Sequence, residues 1–272
     1  MSDFVNDLFG LKGRTAVVTG GSSGIGKFIA EGFVRAGARV YIVARSGDAL
    51  EEISNDLCDV GTCIPIVADL STMAGVRDLA HQVVNADPDV HILVNNAGVT
   101  FGAPLEDFPE EELDRAWNLN VKAVFHLTRF LLPALRAAAS DERPSTVINV
   151  SSVNGSVVPE IPGHKGNGPV RESWGYGASK AGVNMLTRHL GHALATDKVT
   201  VNAIAPGPFE SRMTAPYFDD PEMRSSTEAM VPIGRIGTPM DVQGASIFLA
   251  SRAGAYLTGA IIPVDGGWST HG

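Results

Sequence analysis

The glycine-rich run Gly20-Gly21-Ser22-Ser23-Gly24-Ile25-Gly26 constrains the fold of this chain more than any other feature. It follows the apolar, β-branched run Thr15-Ala16-Val17-Val18-Thr19 and leads into residues 27–36, which read as a helix. A buried strand, a tight turn and a helix in that order open a βαβ unit. Glycine permits the turn and lets backbone N–H groups approach a pyrophosphate at the helix N-terminus. The usual fingerprint is G-x-G-x-x-G, whereas here Gly20, Gly24 and Gly26 follow a threonine, in the form T-G-x-x-x-G-x-G. Taken alone, the run leaves a plain turn open.

The rest of the chain repeats the alternation. Residues 39–44, 64–67, 90–94, 146–150, 200–204 and 261–264 read as six further strands. Residues 49–57 and 75–84 read as helices, and residues 110–139 as a long helical region bent at Pro133. Alternation of this kind predicts an α/β fold, a seven-stranded parallel sheet with helices on both faces. The length, 272 residues, allows one large domain or two small ones, and no shift in composition marks a boundary. A single domain over 1–272 is expected, with 14–150 mainly its dinucleotide-binding half and 151–272 its catalytic and substrate-lid half.

Composition excludes several classes. A net charge of -9 with no local Lys/Arg cluster argues against a nucleic-acid surface. Residues 1–13 have neither a basic start nor a continuous apolar core, so they do not read as a secretory signal, and nothing reaches the ~18 apolar residues of a membrane span. Cys58 and Cys63 are the only cysteines, which suits neither a disulfide scaffold nor a Cys-x-x-Cys metal pattern. The histidines show no H-E-x-x-H arrangement. A cytoplasmic enzyme without a metal is the simplest reading.

The chemistry is concentrated in Tyr176-Gly177-Ala178-Ser179-Lys180, which sets a phenol and an ammonium one helical turn apart on the same face. A phenol ionises near pH ~10, and a nearby cation favours the phenolate. Lowering that value by roughly 3 units takes about 4 kcal/mol of differential stabilisation.

These motifs together resemble the classical short-chain dehydrogenases/reductases over nearly the whole chain, and the resemblance implies a Rossmann fold. Residues 19–26 match the family's cofactor loop, Asn95-Asn96-Ala97-Gly98 the motif after the fourth strand, and Pro206-Gly207 the turn after the sixth. Asn120, Ser152, Tyr176 and Lys180 match the catalytic tetrad. Asn118 and Ser151 compete with two of these positions, and register against the family favours Asn120 and Ser152. By resemblance Tyr176 is the general acid or base, Lys180 binds the nicotinamide ribose and holds the phenol's pKa down, Ser152 hydrogen-bonds the substrate oxygen, and Asn120 anchors a proton-relay water.

The resemblance also implies cofactor contacts from Gly20, Ser22, Ser23, Gly24, Ile25 and Gly26, from Asp69 and Leu70 at the adenine, and from Asn96, Ala97 and Gly98. Pro206, Gly207, Phe209 and Ser211 complete the set, with Ser211 standing where a threonine usually meets the nicotinamide carboxamide. At the end of the second strand, where an NAD enzyme places a carboxylate, Ala44-Arg45-Ser46 offers Arg45 to a 2′-phosphate. NADP(H) is therefore favoured, with NAD(H) as the alternative.

Substrate contacts are expected from Ser152, Asn154, Tyr176, Phe209 and Met213. Ser152 and Tyr176 are further apart than is usual in the family, and the surplus, residues 158–174, should form a loop at the active-site mouth. There His164, Lys165 and Arg171 could meet an anion and Trp174 could wall the pocket, or the loop could simply be solvated. Phe209, Met213, Tyr217, Phe218, Met223 and Met230 suggest an apolar lid suited to an aliphatic chain, or lid helices packed on the core.

Within the family the chain looks most like the 3-oxoacyl reductases, including the rhamnolipid-pathway type. The implied reaction is interconversion of a 3-oxoacyl thioester and its 3-hydroxy form. Oxidation of a sugar acid or small alcohol is the alternative, and a non-catalytic dinucleotide-binding regulator is an alternative of another class. A homotetramer is implied, or a dimer, through helices near residues 121–132 and 183–194. Val183, Leu186 and Leu190 form an apolar stripe there, which is also compatible with core.

Overall fold

A computed structural model describes residues 2–158, 173–211 and 214–271. Seven strands form one parallel sheet: β1 (Thr15–Thr19), β2 (Arg39–Ala44), β3 (Cys63–Val67), β4 (Ile92–Asn95), β5 (Ser145–Val150), β6 (Val199–Pro206) and β7 (Ile261–Val264). Their order is β3-β2-β1-β4-β5-β6-β7. The chain first builds outward from β1 to the β3 edge, then returns to the other side of β1. That reversal places a crevice between β1 and β4 at the C-terminal ends of the strands, where sheets of this kind bind ligands.

The central strands are mostly apolar because both faces of the sheet are covered, with Asn95, Asn149 and Asn202 among the buried polar exceptions. On one face Ala16, Val18, Val40, Ile42, Ile92 and Ile148 pack with residues of α2 (Gly24–Arg35), α3 (Gly47–Asp56) and α10 (Pro239–Ala250). Their neighbours Val17, Tyr41, Val43, Leu93 and Val147 point the other way, toward α4 (Met73–Ala86) and α6 (Ala123–Ala138). This is the period-2 alternation of a strand buried on both sides. Truncating a fully buried leucine such as Leu93 to alanine is expected to cost about 2–5 kcal/mol. Pro65 is tolerated because β3 is an edge strand, with β2 as its only neighbour in the sheet.

The remaining elements are α1 (Ser2–Phe9), α5 (Glu110–Trp117), α7 (Trp174–Leu194), α8 (Ala215–Phe218) and α9 (Pro221–Met230). The long helix expected over 110–139 is divided: α5 and α6 are separated by a π-helical turn, Asn118–Lys122, and Pro133 lies within α6. Nothing in the local residue types signals that turn. Of the stripe Val183, Leu186 and Leu190, Val183 is fully buried and the two leucines are half-buried, while Phe125 on α6 and Trp174 and Met185 on α7 are exposed. No helix among the described residues is long and apolar enough to cross a membrane.

Candidate active site

The crevice is held by Thr19, the last residue of β1. Its hydroxyl donates to the Val94 carbonyl at 3.1 Å and accepts from the N–H groups of Asn96 and Ala97 at 2.9 and 3.1 Å. The Asn96 amide donates to the carbonyls of Thr19 and Gly20 at 2.9 and 3.2 Å, tying the β4 turn to the glycine loop. Gly20 has φ +66, a left-handed conformation that favours glycine, and a Cβ on Gly26 would fall on the Gly20 carbonyl oxygen. Ser23 caps α2 with extended backbone and no side-chain hydrogen bond, so the first-turn N–H groups have no side-chain cap. A cradle from which side chains are excluded, opening at a helix N-terminus, fits a dinucleotide pyrophosphate.

Other expected cofactor residues surround this cradle. A Cβ on Gly24 would come within 2.8 Å of the Ser211 Cβ, so the segment after β6 reaches the glycine loop. Gly207 donates to the Val264 carbonyl at 3.1 Å and is pressed on Asp265, where a Cβ would lie 2.8 Å from the Asp265 Cβ. Arg45 and Ser46 are exposed beyond β2, and Arg45 forms no ion pair among the described residues. Asp69 lies within electrostatic reach of Arg45. Its carboxyl is held below the usual range by hydrogen bonds from Ser71, with Arg45 a smaller contributor. Leu70 is buried beside it.

Tyr176, Lys180, Ser152 and Asn120 come together where α7 crosses the ends of β4 and β5. Tyr176 is half-buried in the first turns of α7, and Ser152 hydrogen-bonds its phenol. Lys180 is only 4% exposed. It donates to the Val150 carbonyl at 2.7 Å and lies over the Tyr176 ring, 5.6 Å from its centre. Burial lowers its pKa to about 8. Ser151 is turned away and donates to the Lys180 carbonyl at 3.3 Å.

Burial pushes the Tyr176 phenol up from its ordinary value, and the group that works against this is Ser152, not Lys180. The lysine lies over the ring and donates to the Val150 carbonyl, and burial weakens its own hold on a proton.

Asn120 is buried in the π turn. Its Oδ1 accepts from Val99 N–H at 2.9 Å and its Nδ2 donates to the Val99 carbonyl at 3.0 Å and to Ser179 Oγ at 2.9 Å. Asn118 instead accepts from Lys122 at 2.8 Å, away from this cluster. A Cβ on Gly98 would lie 3.3 Å from Asn120 Oδ1 and 3.6 Å from Lys180 Nζ, so glycine there keeps the approach to the lysine open.

On the substrate side, the sequence leaves two readings of the segment after β6, a lid surface or packing on the core. Phe209 is 3% exposed, with its ring over Gly237, where any Cβ would collide with it. Phe218 is likewise buried, so both pack the segment against the core instead of presenting a lid surface. Asn154 is half-buried, and its N–H donates to Ser152 Oγ at 3.2 Å. Met213, the Tyr217 side chain and His164, Lys165 and Arg171 of the insertion lie outside the described residues.

A wall of exposed apolar residues is carried instead by the segment after β4, by α5 and by the start of α7. Phe101, Leu105, Leu113 and Trp174 are all exposed, Leu105 by 65%. Trp174 donates its indole N–H to the Ala103 carbonyl at 3.0 Å, and a Cβ on Gly175 would meet Leu113 Cδ1 at 3.2 Å. The wall therefore adjoins the turn that carries Tyr176. Trp174 is legible in the sequence as a residue that could wall the pocket, but Phe101, Leu105 and Leu113 are not, because they are interrupted by Glu106, Asp107 and the Glu110–Glu112 run and follow neither helical nor strand periodicity.

Comparison with known proteins agrees with this geometry. A family model described as Enoyl-(Acyl carrier protein) reductase matches residues 20–269. The chain is 44% identical over 261 residues to the rhamnolipids biosynthesis 3-oxoacyl-(acyl-carrier-protein) reductase of Pseudomonas aeruginosa, covering 96% of this chain and 98% of that one. It superposes on the Pseudomonas aeruginosa RhlG/NADP active-site complex with a TM-score of 0.89 at 43% identity, covering 97% and 99% of the two chains. A gluconate 5-dehydrogenase from Burkholderia cenocepacia, in complex with NADP and tartrate, superposes with a TM-score of 0.86 at 29% identity, covering 98% and 99%.

Proposed function

The chain belongs to the short-chain dehydrogenase/reductase family, and from that premise we propose that it is an NADP(H)-dependent oxidoreductase interconverting a 3-oxoacyl thioester and its 3-hydroxy form. The observation that carries the substrate class is the exposed apolar wall of Phe101, Leu105, Leu113 and Trp174 beside Tyr176, which suits an alkyl tail. The activity named for the Pseudomonas aeruginosa relative supports the same reading.

Backbone donors of residues 20–26 would hold the pyrophosphate, with Ser22, Ser23 and Ile25 among them, and Arg45 and Ser46 the 2′-phosphate. Asp69 and Leu70 would border the adenine. Asn96, Ala97, Gly98, Pro206, Gly207, Ser211 and the backbone of Phe209 would line the nicotinamide half. NADPH, when bound, supplies a hydride to the carbonyl carbon. Ser152 and Tyr176 would hold the carbonyl oxygen, and Tyr176 would pass its phenolic proton to that oxygen as it becomes an alcohol. Lys180 and the Asn120 side of the cluster would return a proton to the phenolate. Asn154 and Met213 complete the proposed substrate contacts.

We keep residues 14–150 as the dinucleotide-binding half and 151–272 as the catalytic and lid half of one domain. A cytoplasmic homotetramer is proposed, its contacts built on exposed Phe125 and Met185 in place of buried Val183. Light scattering of the purified protein tests that assembly.

NADPH and NADH consumption across 3-oxoacyl thioesters, with sugar acids and NAD(P)+ in reverse, tests the function. Turnover of 3-oxoacyl thioesters with NADPH is expected. Oxidation of sugar acids alone would favour the second reading, for which the gluconate 5-dehydrogenase neighbour with tartrate speaks.

A further inference from the structure

Ser179 precedes Lys180 on α7 and is fully buried. Its hydroxyl donates to the Tyr176 carbonyl at 2.7 Å. With that proton committed, the oxygen can only accept, and it takes one N–H of the Asn120 amide at 2.9 Å. An amide side chain has two orientations that exchange its oxygen and nitrogen. Turned over, Asn120 would set its oxygen against Ser179 Oγ and the Val99 carbonyl, and its nitrogen against the Val99 N–H. All three bonds would become donor–donor or acceptor–acceptor contacts, so one orientation satisfies the cluster.

That orientation matters because Asn120 lies in a π turn, a rare backbone geometry that recurs at functional sites. The Asn120 oxygen and the Lys180 ammonium both border the space at Gly98. Ser179 thus links the carbonyl of Tyr176, the amide of Asn120 and, through Asn120, the Val99 turn facing Lys180.

We propose that Ser179 is a positioning residue for proton return to Tyr176: its hydroxyl fixes the Asn120 amide and, with it, the π turn and the Val99 segment against Lys180. It acts through Asn120 and touches neither substrate nor cofactor. The inference rests on the oxidoreductase reading above.

The test uses the full chain as Ser179→Ala, Asn120→Ala and the double variant, read by NADPH fluorescence titration, by kcat and KM with a 3-oxoacyl thioester, and by the solvent deuterium isotope effect. Ser179→Ala should lower kcat about tenfold and raise the isotope effect, while KM and NADPH affinity stay within about twofold. The double variant should be no slower than Asn120→Ala, because both changes break one unit. Independent, multiplying losses would overturn the proposal, and so would a loss confined to KM or to NADPH affinity. Should Ser179→Ala fail to fold, Ser179→Thr keeps the oxygen and Ser179→Cys replaces it with a poor acceptor. The threonine variant should then be the faster, and the reverse order overturns the proposal. If the parent protein turns over no 3-oxoacyl thioester, the functional reading fails, and the Asn120 side-chain amide resonances still test Ser179. They should lose their slow solvent exchange in the Ser179 variants, and unchanged exchange overturns the positioning role.

Discussion

The Lys180 ammonium lies over the face of the Tyr176 ring, 5.6 Å from its centre. Burial raises the pKa of the phenol, and the Ser152 hydroxyl opposes the rise. As the acid in reduction, Tyr176 must be protonated, so the rate falls as pH climbs through the apparent pKa. As the base in oxidation it must be ionised, so that rate grows over the same range. Removing Ser152 takes away the opposing interaction, and both limbs move to higher pH. Ser152→Ala should also lower kcat about 10²–10³-fold, since a donor to the developing oxyanion is lost. Rate profiles in both directions check this, the limbs belonging to the Tyr176–Lys180 pair jointly. Unmoved limbs would remove Ser152 from the tuning of the phenol.

Lys180 carries an energetic cost that its removal should reveal. Its pKa is lowered by burial to about 8. The ordinary lysine value is ~10.4, so below pH about 8, where both folded and unfolded chains hold the proton, the fold bears about 3 kcal/mol. As pH rises from about 8 toward ~10.4 the folded chain releases the proton while the unfolded chain keeps it, and the cost recedes. Lys180→Met should therefore raise stability at pH 7 by about 2 kcal/mol, after about 1 kcal/mol for the Val150 carbonyl left without its donor. Urea unfolding without added nucleotide should show the gain shrinking by pH ~10, with activity lost at every pH. A gain independent of pH would mean that burial of the charge is not its source.

The sequence is legible where a physical rule is local. Gly20, Gly24 and Gly26 announce their turn because only glycine suits its conformation and close contacts, and all seven strands announce themselves as apolar runs between turn residues. The division between α5 and α6 is not fixed locally: residues 118–122, with two asparagines and a valine, are weak helix formers but do not specify a π turn, and Asn120 is held by Val99 and Ser179 from elsewhere in the chain. Phe209 illustrates the same limit in reverse. Its aromatic side chain in a segment next to the site suggested substrate contact, but the bare backbone of Gly237 makes a seat for its ring in the core.

Arg45 should separate the two nicotinamide cofactors. It is exposed at the end of β2 with no ion-pair partner among the described residues, and the carboxylate within its electrostatic reach, Asp69, has Ser71 as its principal partner. Its guanidinium is thus available to a 2′-phosphate. Charge-assisted hydrogen bonds contribute about 1.5–3 kcal/mol, so Arg45→Ala should weaken NADPH roughly ten- to hundredfold and leave NADH within about twofold. Fluorescence titration with each nucleotide decides it, and equal weakening of both would take Arg45 away from the phosphate.

Leu105 should set how strongly the protein prefers long acyl chains. At 65% exposure it contributes little to folding, and it lies two residues after Ala103, whose carbonyl accepts the Trp174 indole N–H. Glu106 and Asp107 follow it directly, so the wall's edge is acidic and suits an uncharged tail better than an anionic carrier group. Each methylene withdrawn from water is worth about 0.8 kcal/mol, and loss of two or three such contacts costs ~2 kcal/mol, or roughly thirtyfold in kcat/KM. Leu105→Asp should produce that loss with a 3-oxododecanoyl thioester. With acetoacetyl thioester, whose short chain offers almost no methylene to Leu105, kcat/KM should stay within about twofold of the parent. A loss of equal size for both substrates would place the tail elsewhere, because only contact along the chain makes the penalty grow with length.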